Sequence, residues 1–217
     1  MNEETHQKLM KIKRSFRLLM SGPTSQSMTQ KGLGYKINWG VPFIELKKMA
    51  LEYGKDYELA IELWKEDIRE CKILATLIMP AEKMLPEITD IWMEQVKSQE
   101  MAEMLAFNLL QHVDYAPAIA YEWIATDKTL YEIAGFQLLA RLFANGQEAN
   151  ERGINEFLDQ ATVALQGDNM GIKHAAANCV LRFADLGEEY EKIARAALKG
   201  IFRSDSGPSA RDLWHSP

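Results

Sequence analysis

The chain has little of what most enzymes and secreted proteins carry. Its two cysteines, Cys71 and Cys179, sit in apolar helical patterns with no CxxC partner. That excludes a disulfide framework and suits buried thiols in a reducing cytoplasm. Four histidines, His6, His112, His174 and His215, are too widely scattered for a metal site, so neither a metal nor an organic cofactor is expected. There is no GxGxxG, P-loop, HExxH or GxSxG, and no Ser/His/Asp set can be picked out. No stretch approaches the ~18 uninterrupted apolar residues of a membrane span, and the charged N-terminus lacks the apolar core of a signal peptide. A soluble, cytoplasmic protein with no membrane partner is the expectation. A basic excess is missing too. With 25 basic against 31 acidic residues the net charge is −6, which argues against a surface uniformly adapted to polyanions while leaving room for a local basic stripe. Strand signals are absent, so the fold class is all-α.

What is present is a repeat. A tryptophan closes an apolar helix, a polar turn follows, and an Ala- and Leu-rich helix begins. The copies are LAIELWKEDIRECKILATLI (59–78), ITDIWMEQVKSQEMAEMLAFNLL (88–110) and AIAYEWIATDKTLYEIAGFQLLARL (118–142). Trp64, Trp92 and Trp123 mark them at intervals of about 30 residues, a spacing typical of stacked helix pairs. One such pair cannot bury its own apolar face. Stacking makes a continuous core and exposes one long curved surface to a large ligand. A right-handed α-solenoid of HEAT-like helical repeats, an α-α superhelix, follows.

Local signals place the boundaries. Residues 4–20 read as a first helix, with Leu9, Ile12, Phe16 and Leu19 at helical spacing and Lys8, Lys11, Lys13, Arg14 and Arg17 as a basic outer face. Residues 21–41 read as irregular, rich in turn formers. Pro42 then opens a helix that Gly54 closes, Asp56 and Ser98 are helix caps, and Asp114 and Thr126 are caps further on. Gly146, Gly167 and Gly187 stand where helices end. One domain over 1–203 is expected, with 1–24 as a capping helix and turn. Residues 204–217 read as a disordered tail.

The helix faces suggest where a ligand would sit. On 99–112, Met101, Ala102, Leu105, Ala106, Leu109 and Leu110 form an apolar arc, with Glu100, Glu103, Met104, Phe107 and Gln111 opposite. A solvated face would not choose Phe. The side either packs on a neighbouring repeat or lines a cleft where a flat apolar group meets a carboxylate. Ile133, Gln137 and Arg141 make a stripe at i, i+4, i+8, and His174, Asn178 and Arg182 make another. A basic and amide stripe is what phosphate contacts need, although an exposed helix face or a helix-dipole partner looks the same.

The segments GVPFIELKKMALEYGKDYELAIELWKEDIRECKILATLI, YEWIATDKTLYEIAGFQLLARL and IKHAAANCVLRFADLG resemble the AlkD-type DNA alkylation repair family, HEAT-like-repeat DNA glycosylases and their relatives. The resemblance covers roughly residues 25–200. Its best tokens are Gly40–Pro42, Leu63-Trp64, the run 73–77, Trp123–Asp127, and Asn178 with Leu181-Arg182. In active members a tryptophan and an aspartate four residues later open an inner helix, an arginine follows in the next, and another tryptophan precedes a Leu-Arg pair. The aromatics pack on the damaged nucleotide, and the carboxylate stabilises charge on the sugar as the base leaves. Carried over, the first tryptophan falls on Gln99, the aspartate on Glu103, the arginine on Ile133 and the late tryptophan on Cys179, while Asn178, Leu181 and Arg182 match.

The resemblance therefore implies a DNA-binding relative, on duplex or structured DNA, in which excision is weak or lost. Arg141, Lys173, His174, Asn178, Arg182, Lys192 and Arg195 are the candidate DNA contacts. Lys173 lies opposite Arg182 on a regular helix. Glu103 is the sole candidate catalytic group, acting electrostatically on an oxocarbenium-like transition state. Two other readings stay open: a scaffold for a protein partner, and an alkylpurine glycosylase with a rearranged site.

Overall fold

The computed structural model describes residues 2–30 and 33–201; the expected tail lies outside them. The described residues form twelve α-helices, two short 3-10 turns and one isolated bridge, Ile37 with Ile68, and no strand. In order the helices are α1 (Glu3–Leu18), α2 (Gly22–Gln30), α3 (Phe43–Tyr53), α4 (Tyr57–Lys65), α5 (Arg69–Ile78), α6 (Pro86–Glu94), α7 (Gln99–Asn108), α8 (Ala116–Ile124), α9 (Thr129–Ala144), α10 (Glu151–Gln166), α11 (Met170–Ala184) and α12 (Glu188–Ala197). They fall into two compact units, one up to Val113 and one from Asp114 onward.

Short side chains start many of these helices by accepting otherwise unpaired amides. Asn2 accepts from Thr5 N, Asp56 from Leu59 N, Ser98 from Met101 N, Asn150 from Gly153 N and Asn169 from Ile172 N. The caps at Asp56 and Ser98 are those legible in the sequence. Asp114 and Thr126 are not caps. The Thr126 hydroxyl donates to Trp123 O at 2.9 Å inside the turn, and α9 begins three residues later with no side-chain cap. The stretch 21–41 is not wholly irregular either, because α2 forms within it. Pro23 stands in the first turn of α2, where its missing N–H costs nothing, and none of the residues of α2 is buried. The helix expected over 99–112 ends at Asn108 and tightens into a 3-10 turn at Leu110–His112.

In the first unit α5 is the central element, with nine of its ten residues buried. Helices α3, α4 and α7 pack on it, and α1 packs on α4. The buried polar groups of α5 are therefore paired, as the cost of leaving them unpaired demands. Glu70 accepts from the amides of Trp39 and Val41, each at 3.2 Å, and Lys72 donates to Trp64 O at 2.7 Å. Thr76 Oγ1 donates to Ile73 O and accepts from Asn108 Nδ2 at 2.9 Å. The repeat markers Trp64 and Trp92 stack with ring centroids 4.2 Å apart and planes 3° apart.

The loop before α3 turns at Gly40, whose φ of +67° is in the left-handed region. A Cβ there would lie 2.5 Å from Ser21 O and 2.7 Å from Ser25 N, both backbone atoms. Gly40→Ala therefore meets strain and collision together. It is expected to lower the unfolding free energy by about 2–3 kcal/mol, read from urea denaturation. A loss below about 0.5 kcal/mol, the size of an ordinary surface substitution, would show that the loop relaxes freely.

In the second unit α9 packs against α8 and α11, and α11 also against α10 and α12. Phe143, Phe157 and Phe183 form a triangle with each centroid pair 5.4 Å apart, and Tyr190 closes on Phe183 at 5.3 Å. Gly135 lets α8 and α9 approach, since a Cβ would stand 2.9 Å from Ile124 N.

Candidate nucleic-acid interface

The most basic segment of the chain makes several contacts with the protein itself. Lys8 pairs with Asp56 at 3.0 Å, Lys11 with Glu52 at 3.3 Å and Lys13 with Glu66 at 2.9 Å, while the Arg17 guanidinium lies over the Trp39 ring. Half-buried Lys8 and Lys13 fasten α1 to the body, while Lys11, Arg14 and Arg17 stay exposed on its outer side.

In the first unit the predicted carboxylate, Glu103, lies on α7. It is half-buried, and Gln99 one turn earlier donates to it at 2.8 Å. Both carried-over positions of this helix therefore face each other as an amide and a carboxylate, with Phe107 one turn further on and 42% exposed. The opposite side of α7, Met101, Ala102, Leu105 and Ala106, is buried. Glu100 holds the first turn in place. It accepts from Arg69 Nε at 2.8 Å and from Nη2 at 2.5 Å, the two-pronged geometry of a guanidinium on a carboxylate. Arg69 is itself buried and reaches Glu70 and Val41 O from Nη1. The network links α5, α7 and the loop at 39–41. Sequence reasoning missed it, although an Arg-Glu pair opening an otherwise apolar helix, 31 residues before Glu100, is a visible signal.

In the second unit the two predicted stripes touch. Asn178 Nδ2 on α11 donates to Gln137 Oε1 on α9 at 3.1 Å. One turn from this bond stand Arg141, half-buried in the last turn of α9, and His174 and Arg182, both exposed on α11. Arg182 pairs with Asp185 at 3.0 Å, an exposed contact on its own helix that is cheap to open. Lys173 is half-buried and off this face. Lys192 and Arg195 are exposed on α12, where Arg195 is held by Glu191 at 2.7 Å.

The other carried-over positions are closed. Ile133 is 2% exposed and Cys179 is fully buried. Burial pushes the Cys179 thiol well above the usual range, and Cys71 likewise, so neither is a nucleophile at neutral pH. Among the described residues no group of three or more His, Cys, Asp or Glu could hold a metal ion. Among them, too, no helix is long and apolar enough to cross a membrane.

Paired helices marked by a repeating tryptophan define a HEAT-like-repeat fold. A solved structure of the same fold covers 93% of this chain and 88% of its own, with a TM-score of 0.80 and 19% identity. It comes from work described as "a new family of proteins related to the HEAT-like repeat DNA glycosylases with affinity for branched DNA structures". The sequence matches the family described as DNA alkylation repair enzyme over residues 24–200, and the chain belongs to that family. No curated protein matches in a sequence comparison.

Proposed function

We propose that the protein binds DNA, with branched DNA the preferred form, and has little or no base-excision activity. The observation that carries this reading is the α9–α11 face. There an amide pair, Gln137 with Asn178, stands between the guanidinium groups of Arg141 and Arg182, with the His174 imidazole beside it. Amides and guanidinium groups in adjacent rows suit successive phosphate oxygens. Lys192 and Arg195 on α12 and, less directly, Lys173 would extend the contact. Family membership and the affinity stated for the solved relative support DNA as the ligand. The excision machinery is where support fails. The carboxylate at Glu103 is bonded to an amide, and buried Ile133 and Cys179 present neither the cation nor the aromatic wall. Any residual excision would rest on Glu103 stabilising an oxocarbenium-like sugar electrostatically.

The test is a titration of a four-way junction, a linear duplex and a methylated duplex at two salt concentrations, with abasic sites assayed in the same samples. Junction binding should be tightest and steeply salt-dependent. Arg182→Ala should weaken all three DNAs and flatten the salt slope by about 0.9, one phosphate contact. No abasic sites should form above background, and Glu103→Gln should leave binding unchanged. Lesion-dependent abasic sites abolished by Glu103→Gln would establish an active glycosylase. Absence of DNA binding would overturn the reading and direct attention to a protein partner.

A further inference from the structure

Helices α1 and α3 open the stack of the first unit. α1 packs on α4 and α3 on α5, and Lys11 joins the two by pairing with Glu52 at 3.3 Å and lying over the Tyr53 ring. Their opposite sides face outward. The outer side of a terminal helix pair is ordinarily polar, because no further repeat covers it. Here it is not. Met10, Arg14 and Leu18 stand at i, i+4 and i+8 on α1, and Ile44, Lys47 and Leu51 at i, i+3 and i+7 on α3. All six are exposed, and Leu18 at 87% and Leu51 at 85% are the most exposed large apolar side chains among the described residues. Lys48 beside them is held by Glu45 at 2.7 Å. Apolar rows of this extent with cations between them mark an interaction surface.

The same unit carries an acidic counterpart. On α6 the side of Thr89, Trp92 and Met93 is buried. Glu87, Asp90, Ile91 and Glu94 stand on the other side at i, i+3, i+4 and i+7, all exposed. Among the described residues no ion pair or side-chain hydrogen bond holds Arg14, Glu87, Asp90 or Glu94. Because both surfaces are exposed, neither covers the other within one chain.

We infer that the α1–α3 end of one copy packs on the α6 stripe of a second copy, in a head-to-tail contact that sets apolar rows together and cations against carboxylates. Charge selects this occupant. Two α1–α3 ends would bring cations against cations, and two α6 stripes carboxylates against carboxylates, so symmetric pairing is opposed. A phosphate backbone would satisfy the cations and leave Met10, Leu18, Ile44 and Leu51 in water. A head-to-tail contact leaves one face free at each end of the assembly, so further copies add in a row. The α9–α11 face belongs to the second unit and takes no part in the contact.

The experiment is sedimentation velocity of the full chain over a series from micromolar to millimolar protein, repeated at high salt. The mass of the parent should climb with concentration past that of a dimer, and salt should move the climb to higher concentration. Leu18→Ser with Leu51→Ser removes the first surface, and Ile91→Lys puts a cation into the second. Each variant alone should stay monomeric. Because these side chains are exposed, both variants should melt with the parent. Mixed in equal amounts they should form a one-to-one complex and stop there, since each brings the surface that the other lacks. A parent that stays monomeric over the whole series would overturn the inference. So would association that survives either variant, or a mixture that fails to pair.

Discussion

Arg69→Leu is expected to cost about 3–5 kcal/mol of unfolding free energy, the largest loss for any single change considered. The size follows from what is left behind rather than from what is removed. A buried ion pair contributes little net stability, because the desolvation of its members offsets their attraction. Deleting one member is different. Without the guanidinium, Glu70, fully buried, and Glu100, about one quarter exposed, lose the cation that both of them share. The Val41 carbonyl also loses its side-chain donor. A double variant, Arg69→Leu with Glu100→Gln, removes one of those charges and should recover part of the loss. Urea denaturation of the four members of this cycle measures the coupling, expected at about 1–3 kcal/mol. Additive losses would mean that the network relaxes into solvent when opened.

Lys72 should make stability rise with pH above neutrality, against the usual tendency of lysines. Its ammonium is buried, 2.7 Å from Trp64 O and 4.4 Å from the centre of the Trp64 ring. Burial lowers its pKa from 10.5 to about 8, with Asp67 opposing the shift and Lys97 adding to it. In the unfolded chain the same group keeps its ordinary value. Between about pH 8 and 10.5 the unfolded state therefore binds more protons than the folded one, and stability rises with pH through that window. Below it the penalty of a buried charge is present in full, at most about 3 kcal/mol. Tyr35, which burial pushes up to about 12, works in the opposite direction. Its effect is common to the parent and to Lys72→Met, so the difference between the two isolates Lys72. That difference should shift in favour of the parent between pH 7 and 10, followed by chemical denaturation. A flat difference would mean that the amine already titrates as it does in water.

Much of this architecture was legible without coordinates, and the legible parts share a cause. Trp64, Trp92 and Trp123 recur because each helix pair repeats the same local pattern. Asp56 and Ser98 were recognised as caps because capping is settled within three residues. Where a local signal has two readings, the sequence does not choose between them. The Gly-Pro-Thr-Ser opening of α2 looks like loop chemistry and is also an acceptable first turn. Asp114 and Thr126 are good caps by type, yet no helix amide reaches either of them as a cap.

The sequence by itself determined an all-helical chain of repeats, its family, and the stripes at 133–141 and 174–182, because periodicity and caps arise between residues a few positions apart. Only the tertiary structure decided which charges remain for a ligand. Lys8 and Lys13, in the most evident basic cluster, are half-buried against carboxylates about 50 residues away, whereas Lys11 stays exposed. Asn178 and Gln137, 41 residues apart, meet and join two stripes into one face. The environment of a charged side chain is set by whatever the fold brings beside it, and no local pattern carries that information.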